Sequence, residues 1–413
     1  MMNITIKPSL LSGNVHIPSS KSMTHRMLIC AALADGTSVI DGVDFSKDIT
    51  ATIEAMKSLG AIIRINGNSV TVRGIAVPSL NATINCFESG STLRFLIPVA
   101  AALGTETIFL GEGRLPKRPI TAYIRELPKK GIEFSYEGTM PFQIKGKLES
   151  GVFELEGDVS SQYITGLLFA LPLLKGDSEI IMTSRLESKP YVDLTIECLR
   201  LFGVEVLETE KGYKIKGNQE YKPYSAKVEG DYSQAAFFYV ANALGSNINL
   251  ENLSKDSVQG DKAIDAIVSK WIDDKKNGKD VCFDINAVDI PDLVPVLAVL
   301  GTFGTKPSRI SGAERLKIKE SDRLLAISQM LNTLGGNVKV LDDGLYIEPV
   351  EKLKGGKVDS FGDHRIAMCA AVAATRSEDD VVIENAESVE KSYPKFFEDY
   401  KTLGGKIDGI IMG

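Results

Sequence analysis

Hydroxyl, carboxylate and basic side chains gather where long apolar stretches begin. Lys21, Ser22 and Arg26 open KSMTHRMLICAAL, Gly90 and Arg94 lie in SGSTLRFLIPVAAALG, and Ser160, Ser161 and Gln162 open SSQYITGLLFALPLL. Asp231 opens DYSQAAFFYVANALG, Asp292 follows Pro291 in IPDLVPVLAVLG, and Asp363, His364 and Arg365 open DHRIAMCAAVAA. If these stretches are helices, their first turns expose unpaired N–H groups and the positive end of a dipole, which together can hold an anion. Ser and Asp there are also ordinary caps worth about 1 kcal/mol each. A cation at a helix start opposes the dipole. Lys21 and Arg26 are therefore better explained if an anion sits between them and the helix end. Arg94 lies inside an apolar helix, so it needs an anionic partner. Glu88 or another internal carboxylate is one candidate and a bound ligand is the other. Arg114, Lys117 and Arg118 in GRLPKRPI read as a basic loop or as further anion contacts. Arg323 in IKESDR and Lys391 in EKSYPKFF are bland singly. Asp292 and Glu320 are the carboxylates placed to do proton work.

The elements that must position these groups repeat six times, with starts roughly 60–72 residues apart. A polar start leads into a nearly all-apolar helix, then a Gly turn, then a strand. A second, amphipathic helix follows and ends near glycine, as in DITATIEAMKSLG, YVDLTIECLRLFG and RLLAISQMLNTLGG. Short alternating strands around a turn come next, as in AIIRINGNSVTVRG, where Asn68 flanks the turn. The all-apolar helix is expected to be buried on most sides. Six units predict two domains of three, with the seam near KPYSAKVEGD. Pro119 is expected to start the second helix of its unit. SKWIDDKKNGKD, Ser269 to Asp280, is expected to be a solvated turn.

The 413 residues are 44% hydrophobic and 24% charged, which excludes disorder, collagen-like and coiled-coil classes. A net charge of −7 argues against nucleic acid or an anionic membrane as partner. Five scattered cysteines form neither a disulfide frame nor a zinc knuckle, so a reducing cytoplasm is expected. No secretory leader is read at the start, and no apolar run reaches the ~18 residues of a membrane span. GxGxxG, GxxxxGK[ST], HExxH and GxSxG are absent, which disfavours a nucleotide-dependent kinase or dehydrogenase.

In this order the motifs SSKSMTHR, SGSTLR, KRPI, DVSSQY, SKPYVD, IPDLVP, IKESDR, DHRIAM and KSYP resemble those of the 5-enolpyruvylshikimate-3-phosphate (EPSP) synthase family of enolpyruvyl transferases, over Lys21 to Pro394. The resemblance implies an α/β fold of two domains, each of three βαβαββ repeat units in an inverse α/β barrel-like arrangement, with the active site in the interdomain cleft. Residues 20–229 would form the first domain, on the shikimate-3-phosphate side. Residues 1–19 with 230–413 would form the second, discontinuous and on the phosphoenolpyruvate side. The implied reaction adds the 5-hydroxyl of shikimate-3-phosphate to the enol carbon of phosphoenolpyruvate and expels phosphate by C–O cleavage. No metal or organic cofactor is implied.

Carried over by motif, Lys21, Ser22, Arg26, Ser160, Ser161, Gln162, Ser188, Tyr191, Asp292 and Lys319 would bind shikimate-3-phosphate. Lys21, Gly90, Arg94, Arg118, Gln162, Arg323, Arg365 and Lys391 would bind phosphoenolpyruvate. Lys21, Asp292, Glu320 and Lys391 would be catalytic, Asp292 accepting the hydroxyl proton and Glu320, with Lys391, managing the proton on the methylene carbon. Gathering two carboxylates and two phosphates costs several kcal/mol at intermediate dielectric. Clustered guanidinia and helix starts are what can offset that. Glu88, Ser91, Arg315 and Leu316 depart from the family pattern, and Glu88 adds a negative charge near the implied pocket for phosphoenolpyruvate and glyphosate. Glyphosate inhibition and a monomeric, cytoplasmic enzyme are expected. Two rivals are weighed. A UDP-N-acetylglucosamine enolpyruvyl transferase would carry a reactive Cys in its loop, which GEGRLPKRPI lacks. A non-enzymatic α/β repeat clamp would have no reason to bury Arg94.

Overall fold

The fold follows from where each apolar stretch is capped and where it stops. In this computed structural model, which describes residues 2–409, the chain forms two units. A central unit runs from Ser19 to Glu229, and a terminal unit joins the residues up to Pro18 with those from Gly230 onward. Each has its own apolar core.

In the central unit, α1 spans Lys21–Leu33 and α2 Lys47–Leu59. Next come α3, Gly90–Leu103, the short α4, Thr121–Glu126, then α5, Ser161–Ala170, and α6, Lys189–Leu201. Ser20, Ser46, Ser89 and Ser160 turn their side chains onto the first-turn N–H groups of α1, α2, α3 and α5. Glycines in the left-handed region close α2 at Gly60 and α3 at Gly104. Helices α1, α3 and α5 are buried over nearly their whole circumference, whereas α2 and α6 bury one face.

In the terminal unit, α7 spans Tyr232–Ala243, α8 Ala263–Lys276 and α9 Val294–Thr302. They are followed by α10, Arg323–Thr333, α11, His364–Ala374, and α12, Phe396–Thr402. Here α7, α9 and α11 are the buried helices. Among the described residues no helix is long and apolar enough to cross a membrane, and all five cysteines are free.

In the second, third and fifth repeats a small sheet holds one parallel pair, formed across the buried helix, and an antiparallel hairpin. In the second repeat, for example, Asn81–Asn85 pairs in parallel with Glu106–Leu110, which pairs in turn with the hairpin Ile132–Ser135 and Phe142–Gly146. Two strands are exchanged. Ser12–His16, which leads toward α1, pairs in parallel with Asn247–Glu251 of the terminal unit. Ala226–Lys227, which leads toward α7, pairs instead with Thr37–Asp41 of the central unit. The sheet of the sixth repeat is completed by Ile4–Lys7, held between Val381–Glu384 and Lys406–Asp408.

Four expectations need correction. The fourth repeat makes a two-stranded sheet without a hairpin, because the segment after α8 is short and charged and the chain passes at once to Asp284–Asn286 of the next repeat. Ser269–Lys276 is the end of α8 and no turn: Ile264, Val268 and Trp271 fall on one buried face, and Lys270 pairs with Asp274 on the wet one. Helix α4 starts at Thr121, since the Pro119 carbonyl accepts hydrogen bonds from Arg94 and Tyr163. Asp292 lies in a 3₁₀ turn, Pro291–Leu293, ahead of α9.

Ile4 and Ile6 are fully buried in the terminal unit. Ile6→Ala should therefore cost about 2–5 kcal/mol in denaturant unfolding. Limited proteolysis of that variant should cut first within residues 230–409 and spare 19–229. Equal cutting in both stretches would contradict the assignment of the first strand.

Candidate active site

In the central unit the starts of α1, α3, α5 and α6 are tied by polar contacts. Arg26 is 3% exposed. Its Nε donates to Thr195 Oγ1 at 2.8 Å, Nη1 to the Ser22 carbonyl at 2.7 Å and Nη2 to the Tyr191 carbonyl at 2.9 Å. Its guanidinium also lies 5.2 Å from the Phe95 ring centroid. Burial lowers its pKa to about 10. Lys21 reaches across to α2, where its Nζ donates to Asp48 Oδ2 at 2.8 Å.

Arg94 is 2% exposed, so it must be satisfied inside the protein. Its Nη1 donates to Gln162 Oε1 and its Nη2 to the Pro119 carbonyl, both at 2.9 Å, and its guanidinium stands 5.4 Å from the Tyr163 ring centroid. Gln162 is fixed from its other end, its Nε2 donating to Ser91 Oγ at 3.1 Å. Among the described residues no carboxylate pairs with Arg94, and its Nε has no acceptor. The internal pairing with Glu88 considered from the sequence is therefore not made. Glu88 instead packs along Gly113, in the loop that leads to Arg118: a Cβ there would fall 2.5 Å from its carboxyl carbon. Gly90 supplies the space between two guanidinia. A Cβ at this position would lie 2.6 Å from Arg118 Nη1 and 2.9 Å from Arg94 Nη1. Ser160 and Ser161 open α5, and Ser188, in the left-handed region at φ 55°, precedes α6, whose first turn holds Tyr191.

The terminal unit carries the opposite arrangement. Arg323 is buried and all three of its nitrogens meet carboxylates: Nε to Asp363 Oδ2 at 2.8 Å, Nη1 to Asp292 Oδ1 at 2.9 Å and Nη2 to Glu320 Oε2 at 2.6 Å. Arg365 Nη2 takes the second oxygen of Asp292 at 2.9 Å. Burial pushes the Asp292 carboxyl toward a higher pKa, but Arg365, Lys319 and Arg323 outweigh it and hold the group far below the ordinary carboxylate range. Lys391 Nζ donates to the Gly362 carbonyl at 2.7 Å, just before Asp363 caps α11. Asp231 caps α7.

Three contributors escaped the sequence reading. Asp48, Thr195 and Asp261 lie 27, 169 and 28 positions from Lys21, Arg26 and Ser233, their respective partners. No local pattern links residues so far apart. Asp261 is buried and bonded to Ser233 at the start of α7.

A family model described as EPSP synthase (3-phosphoshikimate 1-carboxyvinyltransferase) matches residues 6–400. The chain belongs to the EPSP synthase family. A protein of Clostridium kluyveri named 3-phosphoshikimate 1-carboxyvinyltransferase is 48% identical, over all of both chains. One of the same name from Clostridium perfringens is 46% identical over 99% of this chain and all of its own length. The fold is also that of a solved EPSP synthase from Acinetobacter baumannii, with a TM-score of 0.82 at 24% identity over 99% of this chain and 100% of that one. These relatives favour neither the UDP-N-acetylglucosamine transferase nor the repeat clamp. In this EPSP synthase family member the clusters just described coincide with motifs spread over its whole length.

Burial, then repulsion from Asp292, pushes the Asp261 carboxyl up to about 7. An unfolded Asp titrates near about 3.9. The raised folded value means that the native state holds its proton longer. The stability this contributes is whole below about pH 4 and is lost as pH rises through about 7. Asp261→Asn should remove that loss, so wild type should fall relative to the variant between about pH 4 and pH 7. Parallel melting curves across that range would refute the shift.

Proposed function

We propose that this protein transfers the enolpyruvyl group of phosphoenolpyruvate to the 5-hydroxyl of shikimate-3-phosphate. The observation that carries this reading is Arg94, a buried guanidinium held by neutral acceptors beside Arg118 around a side-chain-free Gly90. Such a cation is made whole by an incoming anion. Two forked guanidinia suit the phosphate and carboxylate of phosphoenolpyruvate, through charge-assisted bonds roughly twice as strong as neutral ones. Arg365 and Lys391 contribute further positive charge to the same substrate. Arg323 is engaged by three carboxylates and acts first as the post on which Asp292 and Glu320 are mounted. Lys21, Ser22, Arg26, Ser160, Ser161, Gln162, Ser188, Tyr191 and Lys319 receive shikimate-3-phosphate.

In the reaction, the 5-hydroxyl oxygen bonds to the enol carbon while the methylene carbon takes a proton from Glu320, with Lys391 as second donor. The hydroxyl proton passes to Asp292. A carboxylate held so low is too weak a base to ionise a free hydroxyl. It becomes competent once the oxygen has bonded to carbon and turned strongly acidic. The tetrahedral adduct then loses phosphate by C–O cleavage and its methyl carbon returns one proton. Electrons balance with no oxidant or reductant. Holding both reactants in line accounts for about 7–11 kcal/mol of the barrier. Glyphosate, a phosphonate-carboxylate anion, competes with phosphoenolpyruvate at the same guanidinium pair. We place the enzyme, as a monomer, in the cytoplasm.

Purified protein should release phosphate from phosphoenolpyruvate only when shikimate-3-phosphate is present. With ¹⁸O at the bridging position the label should leave in phosphate, and label kept in the organic product would mean P–O cleavage and end this mechanism.

A methyl group at position 90 must displace at least one guanidinium by several tenths of an ångström. Gly90→Ala should raise the KM for phosphoenolpyruvate and the inhibitory glyphosate concentration together, each by about tenfold or more. Both values unchanged would remove Arg94 and Arg118 from the phosphoenolpyruvate site.

A further inference from the structure

A chain of four buried polar groups ends at Ser89, the α3 cap next to Gly90. His25 on α1 is 1% exposed, and Thr52 on α2, Thr92 on α3 and the α3 cap Ser89 are fully buried. His25 Nδ1 lies 2.7 Å from Thr52 Oγ1, and Thr52 Oγ1 lies 2.8 Å from Thr92 Oγ1. Thr92 Oγ1 donates to Ser89 Oγ at 2.8 Å, and the same oxygen accepts from the Thr92 backbone N–H at 3.1 Å.

Proton counting gives the chain a direction. Each hydroxyl has one hydrogen to give. Thr92 spends its hydrogen on Ser89, so it accepts from Thr52. Thr52 spends its own on Thr92, so it accepts from the imidazole. His25 must therefore carry its proton on Nδ1. Burial, with Lys21 and Arg26 nearby, keeps the ring neutral, and its Nε2 has no partner among the described residues. The ring is wedged edge-on against Phe95, the same ring that lies beneath Arg26. A neutral donor of one fixed tautomer thus begins the chain, and the oxygen that caps α3 ends it.

We propose that His25, Thr52, Thr92 and Ser89 form a positioning relay that locks the first turn of α3, and through it the placement of Arg94 and Arg118 about Gly90. The relay rests on the reading that this pair receives phosphoenolpyruvate. It matters because the clearances around Gly90 are already shorter than ordinary contacts for a Cβ. A small rotation of the first turn would alter the distance between the two guanidinia. None of the four side chains needs to touch substrate.

Thr52→Val removes the central hydroxyl at nearly constant volume, and Thr52→Ser keeps it. Thr52→Val should raise the KM for phosphoenolpyruvate about five- to twentyfold. The KM for shikimate-3-phosphate and kcat should stay within about twofold, and Thr52→Ser should return the wild-type value. Arg118→Ala serves as the reference for the site itself. If Arg118→Ala raises the phosphoenolpyruvate KM while Thr52→Val lowers only the melting temperature, the four residues are mere packing and the relay is overturned. If Arg118→Ala leaves that KM unchanged, the site reading fails first and the relay falls with it. Should Thr52→Val not fold, ¹⁵N NMR of the wild-type histidines decides. His25 should show a protonated Nδ1 and a bare Nε2, and the ring should stay neutral at neutral pH. The opposite tautomer would overturn the direction of the chain.

Discussion

A guanidinium in an apolar helix bundle is expensive to keep unless something negative meets it. Arg94 is held by one amide oxygen, one carbonyl and an aromatic face and, among the described residues, by no carboxylate. Most of the arrangement around it can be understood as supporting that deficit. Gln162 is pinned by Ser91 so that its oxygen and not its nitrogen faces Arg94. Gly90 keeps side-chain atoms out of the space beside it. The buried helix α3 contributes the positive end of its dipole to the same place. Gln162 partly satisfies the cation, while Gly90 and the helix dipole leave room and positive potential for an anion, so the site is prepared ahead of binding.

The terminal unit solves the converse problem. Its buried arginine is surrounded by more negative charge than it can neutralise, since Asp363, Asp292 and Glu320 all reach Arg323. Such a cluster fixes carboxylates in space, because none can swing away without stranding its charge. That rigidity has a chemical consequence for Asp292. A carboxylate steadied from both sides is precise in position and feeble as a base, which suits an acceptor needed only after the new bond has begun to form. Central and terminal clusters thus use the same side-chain types in opposite stoichiometry.

What could be read from the sequence was what is local. Serine and aspartate caps and the near-continuous apolar runs declare α1, α3, α5, α7 and α11 within a residue or two, because capping and periodicity act over one turn. The basic residues at those starts stood out as violations of the dipole rule, and family resemblance ordered them. Contacts closed by the fold escaped. Nothing near Lys21 announces Asp48, and nothing near Arg323 announces Asp363, 40 positions away. Ser269–Asp280 differs for another reason: its charge density suggests a turn, but the helical spacing of Ile264, Val268 and Trp271 buries one face and carries the helix through to Lys276.

The seating of Ile4–Lys7 imposes an order on synthesis. The central unit is contiguous and can close on itself once residue 229 has left the ribosome. Its neighbour cannot, since Ile4–Lys7 is seated between Val381–Glu384 and Lys406–Asp408, which are translated long after it. At roughly 5–20 residues per second, the first strand waits many seconds for its partners. During that time both edges of this strand are unpaired and open to mispairing.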